Sequence, residues 1–340
     1  MLLASCGVWL ALAAAGNGEP GNAGFEDGGR LFFEETFRGN GRACVTCHEP
    51  VNEFTISPAL VQSRFSQDPT HPLFRPIDSN DGEGRDYTNL LTHAVVRVHI
   101  ALHPNVTMVD NPAQRSIAVW RGTPSIANVA LTAPYLQDGR AASLQEQAAG
   151  AIMDHMEPGR SPRRHELDAM AHFQEEIFYP LRMRALLDET LDAPRGFSVP
   201  VSSPAAQRGQ ALFEQNCSRC HEFELGHRPA SPASPIFVST FVSQANRTGF
   251  PLLKLAFMSQ DGTIQVVETP DPGRAAITGD IADLNVFEIP MLRGLKHTAP
   301  YFHDNSAKTL SSVIAHYNEF FGFGIRGEDR DDLISFLELL

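Results

Sequence analysis

Two short stretches limit what this chain can fold around: Cys44-Val45-Thr46-Cys47-His48 and Cys217-Ser218-Arg219-Cys220-His221. Two thiols three residues apart, followed at once by an imidazole, form the c-type haem attachment pattern. Each thiol closes a thioether to one vinyl group of a haem, and the next residue reaches the iron as its proximal ligand. A Cys-x-x-Cys pair is also the pattern of a redox dithiol or of half a zinc site, but neither needs a histidine at the next position. Haem c domains of this size are built from a few short helices. The pattern therefore predicts an all-α fold of two cytochrome c-like haem domains.

Four of the five cysteines belong to these motifs, and the fifth, Cys6, lies in an apolar N-terminal stretch. Covalent haem attachment takes place outside the cytoplasm, so the reading requires export, here to a periplasm. Residues 1–15 supply the signal: they are apolar throughout and end in Ala13-Ala14-Ala15 before a Gly/Asn/Pro-rich run, although a basic start is missing. If the true start lies upstream, Leu3-Ala4-Ser5-Cys6 resembles a lipoprotein signal and Cys6 becomes the lipid anchor. Cleavage near Ala15 is the preferred reading, because Gly7 to Ala15 is too apolar for a tether. No other stretch has the eighteen or so apolar residues of a membrane span. The formal net charge of -13 argues against nucleic acid as a partner and suits a small basic redox protein.

The chain also repeats itself. Pro124 to Glu146 reads PSIANVALTAPYLQDGRAASLQE, and Pro290 to Ser312 reads PMLRGLKHTAPYFHDNSAKTLSS. Thr132–Tyr135 aligns with Thr298–Tyr301, Asp138 with Asp304, Ala141 with Ala307 and Leu144 with Leu310. The offset is 166 residues, against 173 for the haem motifs, so two homologous halves explain both. Each motif has a lead-in helix carrying a Leu-Phe pair, Gly29 to Phe33 and Gly209 to Phe213, placed to pack on a haem edge. This gives a first haem domain over 21–193, a linker rich in Pro and Ser over 194–204, and a second haem domain over 205–340. Residues 49–112, which hold His71, His93, His99 and His103, read as long loops with short helices. Residues 163–191 read as a helix split at Pro180. Leu253–Phe257 and Thr263–Val267 flank Gln260-Asp261-Gly262 and read as a small β-hairpin insertion in the second domain. Two helices, Leu310 to Tyr317 and Glu328 to Leu340, close the chain.

With the two Cys-x-x-Cys-His motifs, TAPY-x-x-DGRAASLQEQA between them and TAPYFHDNSAKTL after the second, the chain resembles the bacterial di-haem cytochrome c peroxidases and their relative MauG. The likeness runs from about Gly29 to the end. It implies a peroxidatic N-terminal haem held by Cys44, Cys47 and His48. It implies an electron-transfer haem held by Cys217, Cys220 and His221. His48 and His221 become the iron ligands. A distal acid–base glutamate in the family's LEEQA segment maps to Glu146 of Leu144-Gln145-Glu146-Gln147-Ala148; without the resemblance, Glu146 reads as a surface helix residue. The second ligand of the C-terminal haem, methionine in the peroxidases and tyrosine in the MauG branch, falls seventeen residues beyond Pro300, on Tyr317. Met291 and Met258 are the alternatives, and a packing aromatic is the plain reading of Tyr317. Backbone carbonyls of Thr298 and Pro300 match positions that bind an inter-domain calcium, with Asn111 as a third ligand.

Two departures stand out. The tryptophan that relatives carry near the Pro124-Ser125-Ile126 segment is absent, with Trp120 a few residues earlier. No histidine of residues 49–112 fits a distal loop ligand. The function implied is reduction of hydrogen peroxide with electrons from an external cytochrome c or cupredoxin. The alternatives are MauG-like oxidation of a protein or small organic substrate through high-valent haem, and a non-enzymatic di-haem electron carrier.

Overall fold

Each haem motif follows a helix that a second helix clamps at a glycine. The computed structural model describes residues 22–178, 199–221 and 236–340. The proposed signal, Pro180 and the first part of the 194–204 linker lie outside the described residues. In the first half α1 (Asn22–Glu34) packs on α5 (Arg164–Glu175). In the second half α6 (Pro204–Asn216) packs on α10 (Glu328–Leu337). A Cβ on Gly28 would stand 2.0 Å from the Ala169 carbonyl oxygen and 2.7 Å from the Phe173 Cβ. A Cβ on Gly209 would stand 2.0 Å from the Asp332 carbonyl oxygen and 2.9 Å from the Phe336 Cβ. The two crossings are copies of one contact. They pair Gly28, not Gly29, with Gly209, and so Leu31-Phe32 with Leu212-Phe213. Alanine at Gly209 gains about 1 kcal/mol of helix propensity. It forces the helices apart at a cost of about 1–3 kcal/mol. Gly209→Ala is therefore expected to lower the denaturant midpoint, read by chemical unfolding of the holoprotein.

The repeated segments fold alike. Tyr135 bridges Ala141 as Tyr301 bridges Ala307, with a cis Ala–Pro bond before each tyrosine's turn, at Ala133-Pro134 and Ala299-Pro300. Ser143 then caps α4 (Leu144–His155) by accepting the Glu146 N–H, and Thr309 caps α9 (Leu310–Phe321) by accepting the Ser312 N–H. Such a cap contributes about 1 kcal/mol.

The expectation of an all-α fold is overturned: three antiparallel sheets lie among the described residues. Residues 49–112, read as long loops with short helices, hold the helices α2 (Pro58–Gln67) and α3 (Thr88–His93) but also two strands, β1 (Val95–Ala101) and β2 (Val106–Met108), and β3 (Ser116–Gly122) follows before the repeat. β1 pairs with β3 from Val95↔Gly122 to Ala101↔Ser116. Val95, Val96, Ile100, Ile117 and Val119 are buried, as suits β-branched side chains on a packed sheet face.

The predicted hairpin forms as β5 (Leu253–Met258) and β6 (Ile264–Thr269), turning at Gly262 with φ +83°. Its partner is β2, so one three-stranded sheet and one core take residues from both halves. A short pair, β4 (Phe237–Val238) with β7 (Phe287–Glu288), lies near the centre. Two single-turn helices, α7 (Val242–Ala245) and α8 (Ala275–Thr278), flank these strands. The architecture is mixed helix and antiparallel sheet, with helices leading into the haem motifs and the three-stranded sheet β2-β5-β6 joining the halves. No helix of the described residues is long and apolar enough to cross a membrane.

Candidate haem sites and the cavity between them

Both haem motifs open onto one cavity of about 900 Å³, near the top of the roughly 300–1,000 Å³ range of small-molecule sites. Cys44, Cys47 and His48 line one end; Cys217, Cys220 and His221 line the other. Phe32 and Phe213, the aromatics of the two lead-in helices, lie on its wall. The four cysteines are free rather than disulfide-bonded. Burial pushes the Cys44 thiol up to about 12, Cys47 to about 11 and Cys217 to about 12. Each cysteine pair shares the cavity wall with the histidine that follows it, which neither a dithiol nor half a zinc site needs.

Residues 44–46 form one 3-10 turn, whose Cys44 carbonyl accepts the His48 N–H at 2.9 Å. The His48 Nδ1 lies 2.8 Å from the Phe54 carbonyl. A carbonyl only accepts, so Nδ1 carries the proton and Nε2 keeps its lone pair. Burial lowers the His48 pKa, which keeps the imidazole neutral. This is the orientation that a metal-ligating histidine needs from its neighbours.

The helix α4 forms the facing wall with Gln147, Ala148, Ala151, Asp154 and His155. Gln147 Oε1, Thr123 Oγ1 and His155 Nδ1 are buried without a hydrogen-bond partner among the described residues, and all three residues line the cavity. Stranded polar atoms on an apolar wall are costly unless a bound group satisfies them. Together with the lone pair of His48 and the thiols of Cys44 and Cys47, they fit a haem at the first end; the second end repeats the cysteine pair and the histidine. Glu146 is not on this wall. Its Oε2 turns back to accept the Ala142 N–H at 2.8 Å, closing the helix cap from outside, and Gln147, one residue on, faces in.

At the other end Tyr317 lines the cavity within electrostatic reach of Cys217 and Cys220, and burial raises its hydroxyl pKa. Phe302, Phe321 and Phe323 surround its ring at centroid distances of 5.7–6.1 Å. Met291 also lines the cavity, whereas Met258 is 48% exposed on β5. Thr298 and Pro300 are on the wall; Asn111 is exposed and pairs with Gln114. Trp120 packs beside Phe250 under the Arg97 guanidinium, off the cavity wall. His71, His93, His99 and His103 do not line the cavity either.

The centre is held by a buried charge network. Arg121 donates from Nε and Nη2 to both carboxylate oxygens of Asp271 (2.7 and 2.9 Å) and from Nη1 to Asp138 (2.7 Å). Arg140 also binds Asp138, at 2.7 Å, and Arg274 donates to the Asp138 carbonyl. Among the backbone bonds that cross between the halves, two are copies of each other: Gly122 N–H to the His303 carbonyl (2.7 Å), and Glu288 N–H to the Gln137 carbonyl (2.8 Å). Arg121, Asp271 and Glu288 carried no motif, and Gln147 lay in the motif one residue beyond Glu146; only the 166-residue offset, applied to Gly122 and Gln137, points to Glu288 and His303.

The model of the family described as di-haem cytochrome c peroxidase matches residues 22–194. A cytochrome-c peroxidase of Denitromonas iodatirespirans, IdrP2, is 24% identical, over 97% of this chain and 84% of the relative. The methylamine utilization protein MauG of Methylophilus methylotrophus is 23% identical, over 92% of this chain and 81% of its own length. Among solved structures, a MauG-like protein associated with microbial copper homeostasis superposes with a TM-score of 0.54 at 18% identity. That likeness covers 94% of this chain and 88% of the other, and speaks for the fold alone.

Proposed function

The chain belongs to the di-haem cytochrome c peroxidase family, whose members are oxidoreductases, and from that premise we propose how its own residues divide the work. Cys44 and Cys47 hold one haem with His48 on its iron; Cys217 and Cys220 hold the other with His221. Haem bound there supplies an iron that takes peroxide at the first site and passes electrons at the second. The Phe54 carbonyl fixes the His48 tautomer. Gln147, with its oxygen unpartnered, accepts a hydrogen bond from a peroxide O–H. Glu146, which the resemblance makes the acid–base, is assigned a positioning role instead: it holds the start of α4 and so the place of Gln147.

The observation that carries this division is the difference between the two ends. The α4 wall facing His48 presents Gln147, Ala148 and Ala151, while Tyr317 stands near the second cysteine pair. In the assay, reduced cytochrome c or cupredoxin is mixed with peroxide and holoprotein. We expect two donor molecules oxidised per peroxide; no donor oxidation overturns the reading. Export to a periplasm and a calcium at Thr298 and Pro300 rest on the haem chemistry and the resemblance respectively.

Tyr317 also favours a second reading, oxidation of a protein or small organic substrate, because a phenolate ligand stabilises the ferric state. A spectral change that outlives added peroxide in the absence of donor supports it. Tyr317→Met is expected to keep two covalent haems per chain while raising the potential of the second, measured by spectroelectrochemistry. An unchanged potential makes Tyr317 a packing aromatic.

A further inference from the structure

We propose that Glu288, contributed by the C-terminal half, is the group that holds and delivers protons in the cavity that His48 faces. The inference rests on the peroxidase reading above. Reduction of peroxide is H2O2 + 2e⁻ + 2H⁺ → 2H2O, with the electrons coming from the redox-protein donor. The protein must therefore pass two protons into an apolar space, and a carboxyl that is still protonated at working pH is suited to this.

Among the described residues only two carboxyl side chains line the cavity, Asp154 and Glu288. Burial raises both above their ordinary values. At Asp154 the guanidinium of Arg140, 3.8 Å away, opposes the shift. At Glu288 the charged neighbour is an acid, Asp138, which adds to it, and the carboxyl is pushed up to about 8. The cations nearby, Arg121, Arg140 and Arg274, are engaged on Asp138 itself. Tyr135, raised in part by Glu288, and His303, stacked 3.8 Å from the Phe287 ring, are the other titratable groups on this side. Burial keeps His303 neutral.

Geometry holds the residue in place. Glu288 pairs with Phe237 across β4 and β7, and its N–H is bound by the Gln137 carbonyl of the first half, in the loop that leads into α4. The repeat adds asymmetry. The equivalent of Glu288 in the first half is Gly122, where a Cβ would stand 2.3 Å from Asn305 Oδ1; the equivalent of Asn305 is Gly139. One half-site thus has no room for a side chain, and the other carries a carboxyl. A purely symmetric scaffold has no use for that difference; a protein with chemistry at one end has.

The test uses diferric holoprotein, wild type and E288Q, with haem content checked at two per chain. The optical spectrum of the His48 haem is followed with pH, without peroxide or donor. The wild type is expected to show a transition centred near pH 8 that E288Q lacks, and E288Q is expected to lose on the order of 100-fold in peroxide turnover at pH 7. Retention of both transition and turnover in E288Q overturns the proposal. So does loss of the pH transition in E146Q, where Glu288 is still in place. If E288Q does not mature, infrared spectra of the wild type decide: a protonated carboxyl band that disappears between neutral and alkaline pH supports Glu288, and its absence overturns it. Wild type that titrates but never turns over peroxide sinks the peroxidase reading rather than this one.

Discussion

Replacing Cys44 and Cys47 by alanine leaves a chain with one covalent haem, and peroxide turnover falls to that of buffer. The reason lies in how the site is built. The two thiols and His48 come from one turn, and only the Phe54 carbonyl fixes the imidazole. Without thioethers nothing covalent keeps a haem against Nε2. The matched pair, Cys217→Ala with Cys220→Ala, also leaves one haem but fails differently. Peroxide still perturbs the spectrum of the remaining haem, while oxidation of the donor protein stops, because the electron entry is gone. Haem stoichiometry by pyridine haemochrome and donor oxidation assays read the two variants. Equal loss of peroxide response in both would contradict the division of labour.

Arg121→Met has the largest effect on stability. Arg121 is 2% exposed and is bound to two buried carboxylates, Asp138 from its own half and Asp271 from the other. Removing it strands Asp271 without its bidentate partner; breaking one side of a buried pair costs about 3–5 kcal/mol. Asp138 suffers less, since Arg140 remains 2.7 Å away. The thermal midpoint of holoprotein, followed by circular dichroism, is expected to fall by roughly 10 °C. Arg121→Lys recovers only part, because a single ammonium cannot reproduce the Nε and Nη2 fork on Asp271. A midpoint within a degree or two of wild type would show that the network contributes little.

The parts legible in the sequence are those fixed by local chemistry. The haem motifs are set by the reach of two thioethers and one imidazole. The β5–β6 hairpin is set by Gly262 and the residues beside it. The duplication is set by an offset that holds over the whole repeated segment. What was illegible depends on partners far along the chain. The strands β1 and β3 are parted by residues 102–115, and β2 finds β5 in the other half, so no turn announces either pairing. Arg121 meets Asp271 across 150 residues.

Glu146 and Gln147 show a finer limit. Adjacent helix positions point about 100° apart, and the helix cap claims the carboxylate of Glu146. The motif locates the first turn of α4, and only the structure says which of its side chains faces the haem end. Trp120 is similar: it lies a few residues before the segment where relatives carry their tryptophan, and it packs with Phe250 off the cavity wall.

The central proposal is that a haem held by Cys44, Cys47 and His48 would be the one that takes peroxide, while Tyr317 would serve as a ligand to the haem held by Cys217, Cys220 and His221. Electron paramagnetic resonance of the diferric holoprotein tests it most directly. The account predicts a high-spin signal that disappears in the Cys44/Cys47 variant, together with a second signal that Tyr317→Met alters. Two low-spin signals, both unchanged by added peroxide, would contradict it and leave an electron carrier in its place.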